Sequence, residues 1–212
     1  VVLHLAGRTC LVVGGGSVAA RKVRTLIGIG AFVTVVAPEV IPALDALAGR
    51  PGAEAATGTV VAVERRRYRS GEAARYDLVV TATGDPSVDR TVVADARTAG
   101  VLVNAAQGDH PGTVQLPAVL RRGPVTVAVS TGGASPALAR WLRDRIERSL
   151  PPGLETVAAL LEEARSEVRA SGRPTESVDW AAFLDDEILP LVEAGRVDEA
   201  RVALRAGWHR NG

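Results

Sequence analysis

Through the first half of the chain, short runs of apolar, mostly β-branched residues alternate with stretches whose apolar positions recur every three or four residues. The runs lie within Thr9–Val13, Phe32–Val36, Val60–Val63, Asp77–Thr83 and Val101–Val103. Each is apolar on consecutive positions, as a strand buried on both faces is. The intervening periodicity predicts helices over Val18–Ile27 and Val88–Ala99, a short one at Leu44–Leu47, and a loop over Arg50–Gly58. Gly28, Gly30 and Gly100 stand where helices stop. Strand and helix in alternation predict an α/β fold, a Rossmann-like doubly wound parallel sheet over residues 1–112. After Pro111-Gly112 the pattern changes. Val114–Leu120 and Val125–Ser130 read as two strands joined by a turn at Arg121–Pro124. A helix over Ala137–Leu150 follows, with Ser135 as its cap and Pro136 in its first turn. Residues 113–150 thus form a middle α+β segment. Pro151-Pro152-Gly153 marks a boundary, and residues 151–212 read as a helical region with segments around Val157–Val168, Trp180–Val192 and Val197–Ala206.

Composition narrows what this architecture can do. Hydrophobic residues make up 47% of the 212 and aromatics only 3%, so Val, Ala and Leu must fill the core. With 25 basic and 24 acidic residues the net charge is +1, which argues against a nucleic-acid surface. The basic run Arg65-Arg66-Arg67 reads as a solvated strand end, and His4 as a loop residue. Cys10 is the single cysteine, which excludes an internal disulfide or a cysteine metal site, and its place in the first strand reads as core packing. No run is long enough to span a membrane and no signal-peptide pattern opens the chain. The expectation is a soluble cytoplasmic protein without membrane partners, whose Val start reflects processing or trimming.

The first strand runs into Gly14-Gly15-Gly16-Ser17-Val18-Ala19, which fits G-x-G-x-x-A between a strand and a helix. In that pattern Gly14 permits the tight turn, Gly16 lets the backbone approach a pyrophosphate, and Ala19 lets the helix lie close to the strand. Free N–H groups and the positive end of the helix dipole then face the phosphates. A ribose selector is expected about 20 residues on, an acid for NAD or an arginine for NADP. Glu39 lies slightly late for that role, and two readings stand side by side: Glu39 meets the ribose, or it starts the next helix. No Arg or Lys occurs between Thr34 and Gly49, which favours NAD. Thr83 and Gly84, at the carboxyl end of the fourth run with Asp85 beside them, are candidates to line the same crevice.

Taken together, Val13–Lys22, Val36-Ala37-Pro38-Glu39, Thr81–Asp85, Asn104 and Val127–Pro136 resemble the siroheme-biosynthesis family of precorrin-2 dehydrogenases, with or without sirohydrochlorin ferrochelatase activity, which also forms the N-terminal part of siroheme synthases. The resemblance covers nearly the whole chain. It implies NAD-dependent dehydrogenation of precorrin-2 to sirohydrochlorin, ferrous iron insertion in some members, and a homodimer built through residues 113–150. By similarity Ser17, Val18, Pro38 and Glu39 touch the cofactor, and Thr131 falls where some members carry a phosphorylatable serine.

One departure stands out. The family's usual Asn-x-x-Asp reads Asn104-Ala105-Ala106-Gln107 here, so a carboxamide replaces the proposed base. A carboxamide carries no titrating proton. Asp109 and His110 follow and are candidates to serve instead, a histidine being suited to proton transfer near neutrality; they equally suit a turn before Pro111-Gly112. For a substrate bearing many carboxylates, Thr131, Gly132, Gly133 and Ser135 offer donors at a turn and helix N-terminus, and Arg140 a cation within the first turns of that helix. A non-catalytic NAD- or tetrapyrrole-binding sensor or carrier is the alternative. A regulatory nucleotide-binding module is a third reading, and it gives Ser130–Pro136 no role.

Overall fold

The computed structural model describes residues 2–48, 61–105 and 112–210, the side chains of 185, 186 and 210 excepted. The chain divides into two compact units, Val1–Leu116 and Pro117–Gly212.

In the first unit β1 (Thr9–Val13), β2 (Phe32–Val36), β3 (Val61–Glu64), β4 (Leu78–Thr81) and β5 (Leu102–Ala105) form one parallel sheet in the order β3-β2-β1-β4-β5. Between them lie α1 (Ser17–Ile27), α2 (Pro42–Asp45) and α3 (Pro86–Thr98). Strand periodicity sorts the apolar residues onto two faces. Cys10, Val12, Val33, Val35, Leu78 and Val80 pack with Ala19, Ala20, Val23 and Leu26 of α1 and Leu44 of α2. Leu11, Val13, Val36, Val79 and Val103 pack with Val92, Val93 and Ala96 of α3. The order reverses between β1 and β4, and the crevice at their carboxyl ends is where open α/β sheets bind ligands. At the opposite edge Asp77 accepts from the Thr9 N–H at 2.8 Å and from its hydroxyl at 2.9 Å. Those bonds, the N–H first, hold its carboxyl below the usual range.

The crossover from β3 to β4 is pinned by two carboxylates. Glu72, 8% exposed, takes Arg66 Nη1 at 2.9 Å and Nη2 at 2.6 Å, together with the Arg69 N–H at 2.7 Å. Asp95 of α3 takes the Tyr68 hydroxyl at 3.0 Å and the Gly71 N–H at 2.7 Å. The expectation of a solvated basic run is therefore corrected at Arg66, which is partly buried in an ion pair, while Arg67 and Arg69 are exposed.

Val114 does not open the hairpin strand expected from the sequence. Its N–H donates to the Val103 carbonyl at 3.0 Å, and the Thr113 hydroxyl accepts from the Val103 N–H at 2.9 Å, so residues 113–114 lie along β5. The strand of the second unit, β6 (Ala118–Arg122), begins later. It pairs antiparallel with β7 (Val125–Val129) across a turn of Gly123 and Pro124 only, Arg121 and Arg122 belonging to the ladder. Then come α4 (Pro136–Ser149), α5 (Leu154–Ala170), α6 (Leu189–Glu193) and α7 (Val197–Arg210). The segment predicted as one helix over Trp180–Val192 is three pieces: a 3-10 turn Ala181–Phe183, a π turn Leu184–Ile188, and α6. Pro190 in the first turn of α6 has no N–H to continue the preceding α ladder, and the register widens there. Val157, Leu160, Val168, Ile188, Leu204 and Trp208 make the core of this helical part. Arg201 with Glu163 and Arg205 with Glu167 tie α7 to α5.

Gly207 of α7 shows how tight that core is. A Cβ there would lie 2.5 Å from Cε1 of the Phe183 ring. Alanine normally stabilises a helix interior by about 1 kcal/mol over glycine, whereas overpacking a core costs about 1–3 kcal/mol. Overpacking wins against a buried ring, so Gly207→Ala is expected to lower stability by about 1 kcal/mol, measured as a downward shift of the urea midpoint.

Candidate functional site

The turn leaving β1 brings its three glycines into three different environments. Gly14 has φ +130°, and a Cβ on it would lie 2.2 Å from the Ala82 carbonyl oxygen just past β4. A Cβ on Gly15 would lie 1.8 Å from the Glu39 carbonyl oxygen just past β2. The turn is thus wedged between the two strands that flank β1. Hydrogen bonds from the Gly14 N–H to Val36 O (3.0 Å) and from the Ile41 N–H to Gly15 O (2.9 Å) fasten it. At Gly16 a Cβ would meet nothing within 4 Å. Ala19 is fully buried, as close packing of α1 on the sheet requires.

Gly16 is also the N-cap of α1, and with no side chain it leaves the first-turn N–H groups uncapped; no acid occupies that turn. The contrast with α3 is direct. There Asp85 is the N-cap and its carboxylate accepts from the Ser87 N–H at 2.8 Å and the Val88 N–H at 3.4 Å. One helix end at this edge is satisfied internally and the other offers its donors outward. Uncapped N–H groups, the dipole and open space over Gly16 suit a diphosphate. Ser17 is exposed and Val18 half-buried beside it.

Pro38 and Glu39 are exposed in the turn after β2. Glu39 is outside the next helix, since α2 starts at Pro42 with Ile41 as its N-cap. Of the two readings of this acid, the helix-start one has no support in the geometry. Gly84 has φ +76° and open space around it. Thr83 is fixed by a residue the sequence reading missed: Asp89 of α3, 8% exposed. Its Oδ1 accepts from the Thr83 hydroxyl at 2.7 Å and from the Thr81 hydroxyl. Thr83 Oγ1 in turn accepts from the Asp85 N–H at 3.0 Å. An aspartate shortly after a strand-ending Thr-x-Thr is the only signal that pointed to it.

At the end of β5 Asn104 is 5% exposed. Its Nδ2 donates to Val114 O at 2.9 Å, while Oδ1 is buried without a partner among the described residues. A buried carbonyl oxygen left unpaired at a ligand edge is a costly group waiting for a donor. Gln107, Asp109 and His110 lie outside the described residues. Cys10 is fully buried in the sheet, and its thiol is pushed up to about 11, by burial first and the Asp77 charge second, which makes it inert as a nucleophile at neutral pH.

The remaining candidates belong to the second unit. The loop from Ser130 to Ser135 closes on itself. Thr131 Oγ1 donates to Ser135 O at 3.0 Å and accepts from the Ser135 N–H at 3.1 Å. Gly132 and Gly133 follow at φ +63° and +91°. Ser135 Oγ accepts from the Leu138 N–H at 3.2 Å and so caps α4, as its position predicts. Arg140, in the second turn of α4, is exposed. The Thr131 and Ser135 hydroxyls are engaged in shaping the turn and the Gly132 N–H donates to Ser130 Oγ at 3.2 Å, which corrects the expectation of a free donor at Gly132; Gly133 and Arg140 are exposed.

Two family models match the chain. One, described as "Putative NAD(P)-binding", covers residues 1–118, and one described as sirohaem biosynthesis protein central covers residues 122–149. A siroheme synthase of Nitrosococcus oceani is 36% identical over 208 residues, covering 97% of this chain and 43% of the relative. That of Chromobacterium violaceum is 39% identical over 206 residues, covering 96% and 42%. The chain thus spans less than half the length of these relatives. Among solved structures, SirC, a precorrin-2 dehydrogenase, superposes with a TM-score of 0.70 at 26% identity over 97% of this chain and 98% of its own. The match over residues 1–118 places the chain in the putative NAD(P)-binding family, and the segment that follows it matches the central part of sirohaem biosynthesis proteins.

Proposed function

We propose that this chain catalyses the NAD-dependent dehydrogenation of precorrin-2 to sirohydrochlorin. The observation that carries the reading is the uncapped start of α1 under an unfilled Gly16 at the sheet's reversal point. The whole-length likeness to a precorrin-2 dehydrogenase supports the choice of substrate. Gly14, Gly16, Ser17 and Val18 hold the diphosphate; Pro38 and Glu39 meet the adenosine ribose; Thr83 and Gly84 line the crevice. Bound NAD supplies the hydride acceptor.

Dehydrogenation removes a hydride and a proton from the substrate. Asn104 Oδ1 orients a donor on cofactor or substrate but takes no proton. Gln107, in the aspartate's usual place, takes none either, and the proton passes to Asp109 or His110, which follow it in sequence. In the second unit the exposed Gly133 and the Arg140 guanidinium suit a ligand that bears carboxylates. Losing an anionic group at position 107 weakens metal delivery more than hydride transfer, so ferrous iron insertion is the secondary activity, with iron as substrate.

Within the expected segment 113–150, the part that belongs to the second unit, from residue 117 on, forms the contact with a second copy. Leu138 and Trp141 of α4 are 47% and 53% exposed in one chain, and Leu120 and Ala139 are the only buried residues of this layer among those described. That apolar surface supports a homodimer. Among the described residues no helix is long and apolar enough to cross a membrane, which accords with a cytoplasmic enzyme.

The test is anaerobic NADH absorbance with purified protein, NAD and enzymatically generated precorrin-2. NADH formation that needs both protein and substrate is the expected result. Tight binding of both ligands without NADH would favour the sensor or carrier, and Gln107→Asp would then raise turnover from near zero.

A further inference from the structure

The stretch from Thr34 to Gly49 contains no Arg or Lys, yet the fold delivers arginines to the same edge from the neighbouring strand. β3 lies parallel to β2 with Val36 opposite Glu64, and the Ala37 N–H donates to the Glu64 carbonyl at 3.2 Å. Arg65, Arg66 and Arg67 therefore leave the sheet beside the Ala37–Glu39 turn. That turn is itself locked to the phosphate cradle through Glu39 O over Gly15.

Free guanidinium groups here would make a ready site for the 2′-phosphate of NADP. Two of the three are occupied. Arg65 Nη2 donates to Asp45 Oδ1 at 2.6 Å, spanning from β3 to α2. Arg66 is held by Glu64 at 2.7 Å and by both oxygens of Glu72. Arg67 is exposed, pairs with no acid among the described residues, and lies further along the chain from the sheet edge. Glu39 adds an exposed negative charge to the same turn.

We infer that Asp45, acting through Arg65, sets the dinucleotide preference of this chain. Asp45 occupies the first arginine past β3, and with Glu39 it leaves the three-charge group of Glu39, Asp45 and Arg65 net negative. A dianionic 2′-phosphate is repelled there, while a ribose hydroxyl can donate to Glu39. Removing the Asp45 charge frees the Arg65 fork and brings the group to balance. The pair is half-exposed on both sides, at 54% and 47%, so it contributes little to folding and can be altered separately from stability. The inference rests on the cofactor reading given above.

The experiment is fluorescence titration of NADH and of NADPH against the intact chain, at one ionic strength, for wild type, Asp45→Asn, Arg65→Ala, Arg67→Ala and the Asp45→Asn/Arg65→Ala double variant. Wild type is expected to favour NADH. Asp45→Asn is expected to tighten NADPH about tenfold, the scale of one additional charge-assisted hydrogen bond, with NADH within about twofold. The double variant should return NADPH to its wild-type value, and Arg67→Ala should leave the ratio unchanged. An unmoved NADPH affinity in Asp45→Asn, a tightening that survives loss of Arg65, or a ratio controlled by Arg67 overturns the inference while leaving the cofactor reading intact. Failure of wild type to bind either nucleotide overturns both.

Discussion

Gly15→Ala is expected to abolish dinucleotide binding and to lower stability by about 2–4 kcal/mol. The added methyl would sit 1.8 Å from the Glu39 carbonyl oxygen, a backbone atom held by the turn between β2 and α2. Backbone cannot swing aside as a side-chain end can, so the glycine loop or the Glu39 turn has to move. Either movement takes a wall of the phosphate cradle with it. Gly16→Ala is the informative partner. Its methyl enters open space, and Gly16 has an extended backbone that alanine adopts freely. That variant should lose no more than about 1 kcal/mol, the scale of a poorer N-cap, and yet bind NADH at least about tenfold more weakly, because the methyl stands where the diphosphate approaches. Thermal unfolding and NADH titration on the two variants separate a glycine needed by the fold from one needed by the ligand. Equal loss of stability in both would refute the distinction.

The second large effect is at Glu72. Removing one member of a buried ion pair strands the other, at a cost of about 3 kcal/mol. Arg66 retains Glu64, but a carboxamide keeps only one of the two acceptor oxygens, loses the charge, and turns a donor NH2 toward a guanidinium nitrogen that needs an acceptor. Glu72→Gln is expected to lower the unfolding temperature by about 6–12 °C for a chain of this size. Its acid dependence has a definite sign. Burial pushes the Glu72 carboxyl up, but the Arg66 guanidinium and the Arg69 N–H outweigh burial and hold it below its ordinary value of 4.5. A depressed carboxyl stabilises above its unfolded pKa and loses that contribution as pH falls through the folded one. The gap between wild type and Glu72→Gln should therefore be full at neutral pH and close as pH falls below 4.5 and through the lowered value of the folded state. A gap that widens on acidification would mean that the pair is not the source of the effect.

How much of this was legible beforehand depends on how local the cause is. β1, β2 and β4 announce themselves as apolar runs because parallel strands are buried on both faces, and α4 announces its start through Ser135 and Pro136. The uncapped start of α1 follows from Gly16 itself. The misreadings share a different origin. Val114 looks like a strand residue, and only a bond to Val103 shows that it runs beside β5 instead. Arg66 looks solvated because its main partner sits across a 3-10 turn at Glu72. Gly15 occupies a position the G-x-G-x-x-A pattern leaves open, and its constraint comes from Glu39, far along the chain. Asp89 reads as an exposed helix acid until α3 is packed against the end of β4. Trp180–Val192 carries helical periodicity, and Pro190 breaks it locally. Pro190 aside, pattern suffices where the deciding atom lies within a turn of the residue, and fails where it arrives from further along the fold.

The central position of β1 carries a consequence for how the protein is made. Thr9 is bonded to Asp77 across 68 residues of chain, and the loop that β1 feeds is walled by Ala82 on one side and Glu39 on the other. Neither wall exists until both neighbouring strands have docked, and parallel pairing at such separations is slow to form. A nucleotide therefore finds no binding surface on a half-assembled chain and selects the finished sheet alone. By mass action, nucleotide at a hundredfold excess over its dissociation constant adds about 2.7 kcal/mol to that state, so the supply of cofactor in a cell also governs how long this sheet survives once formed.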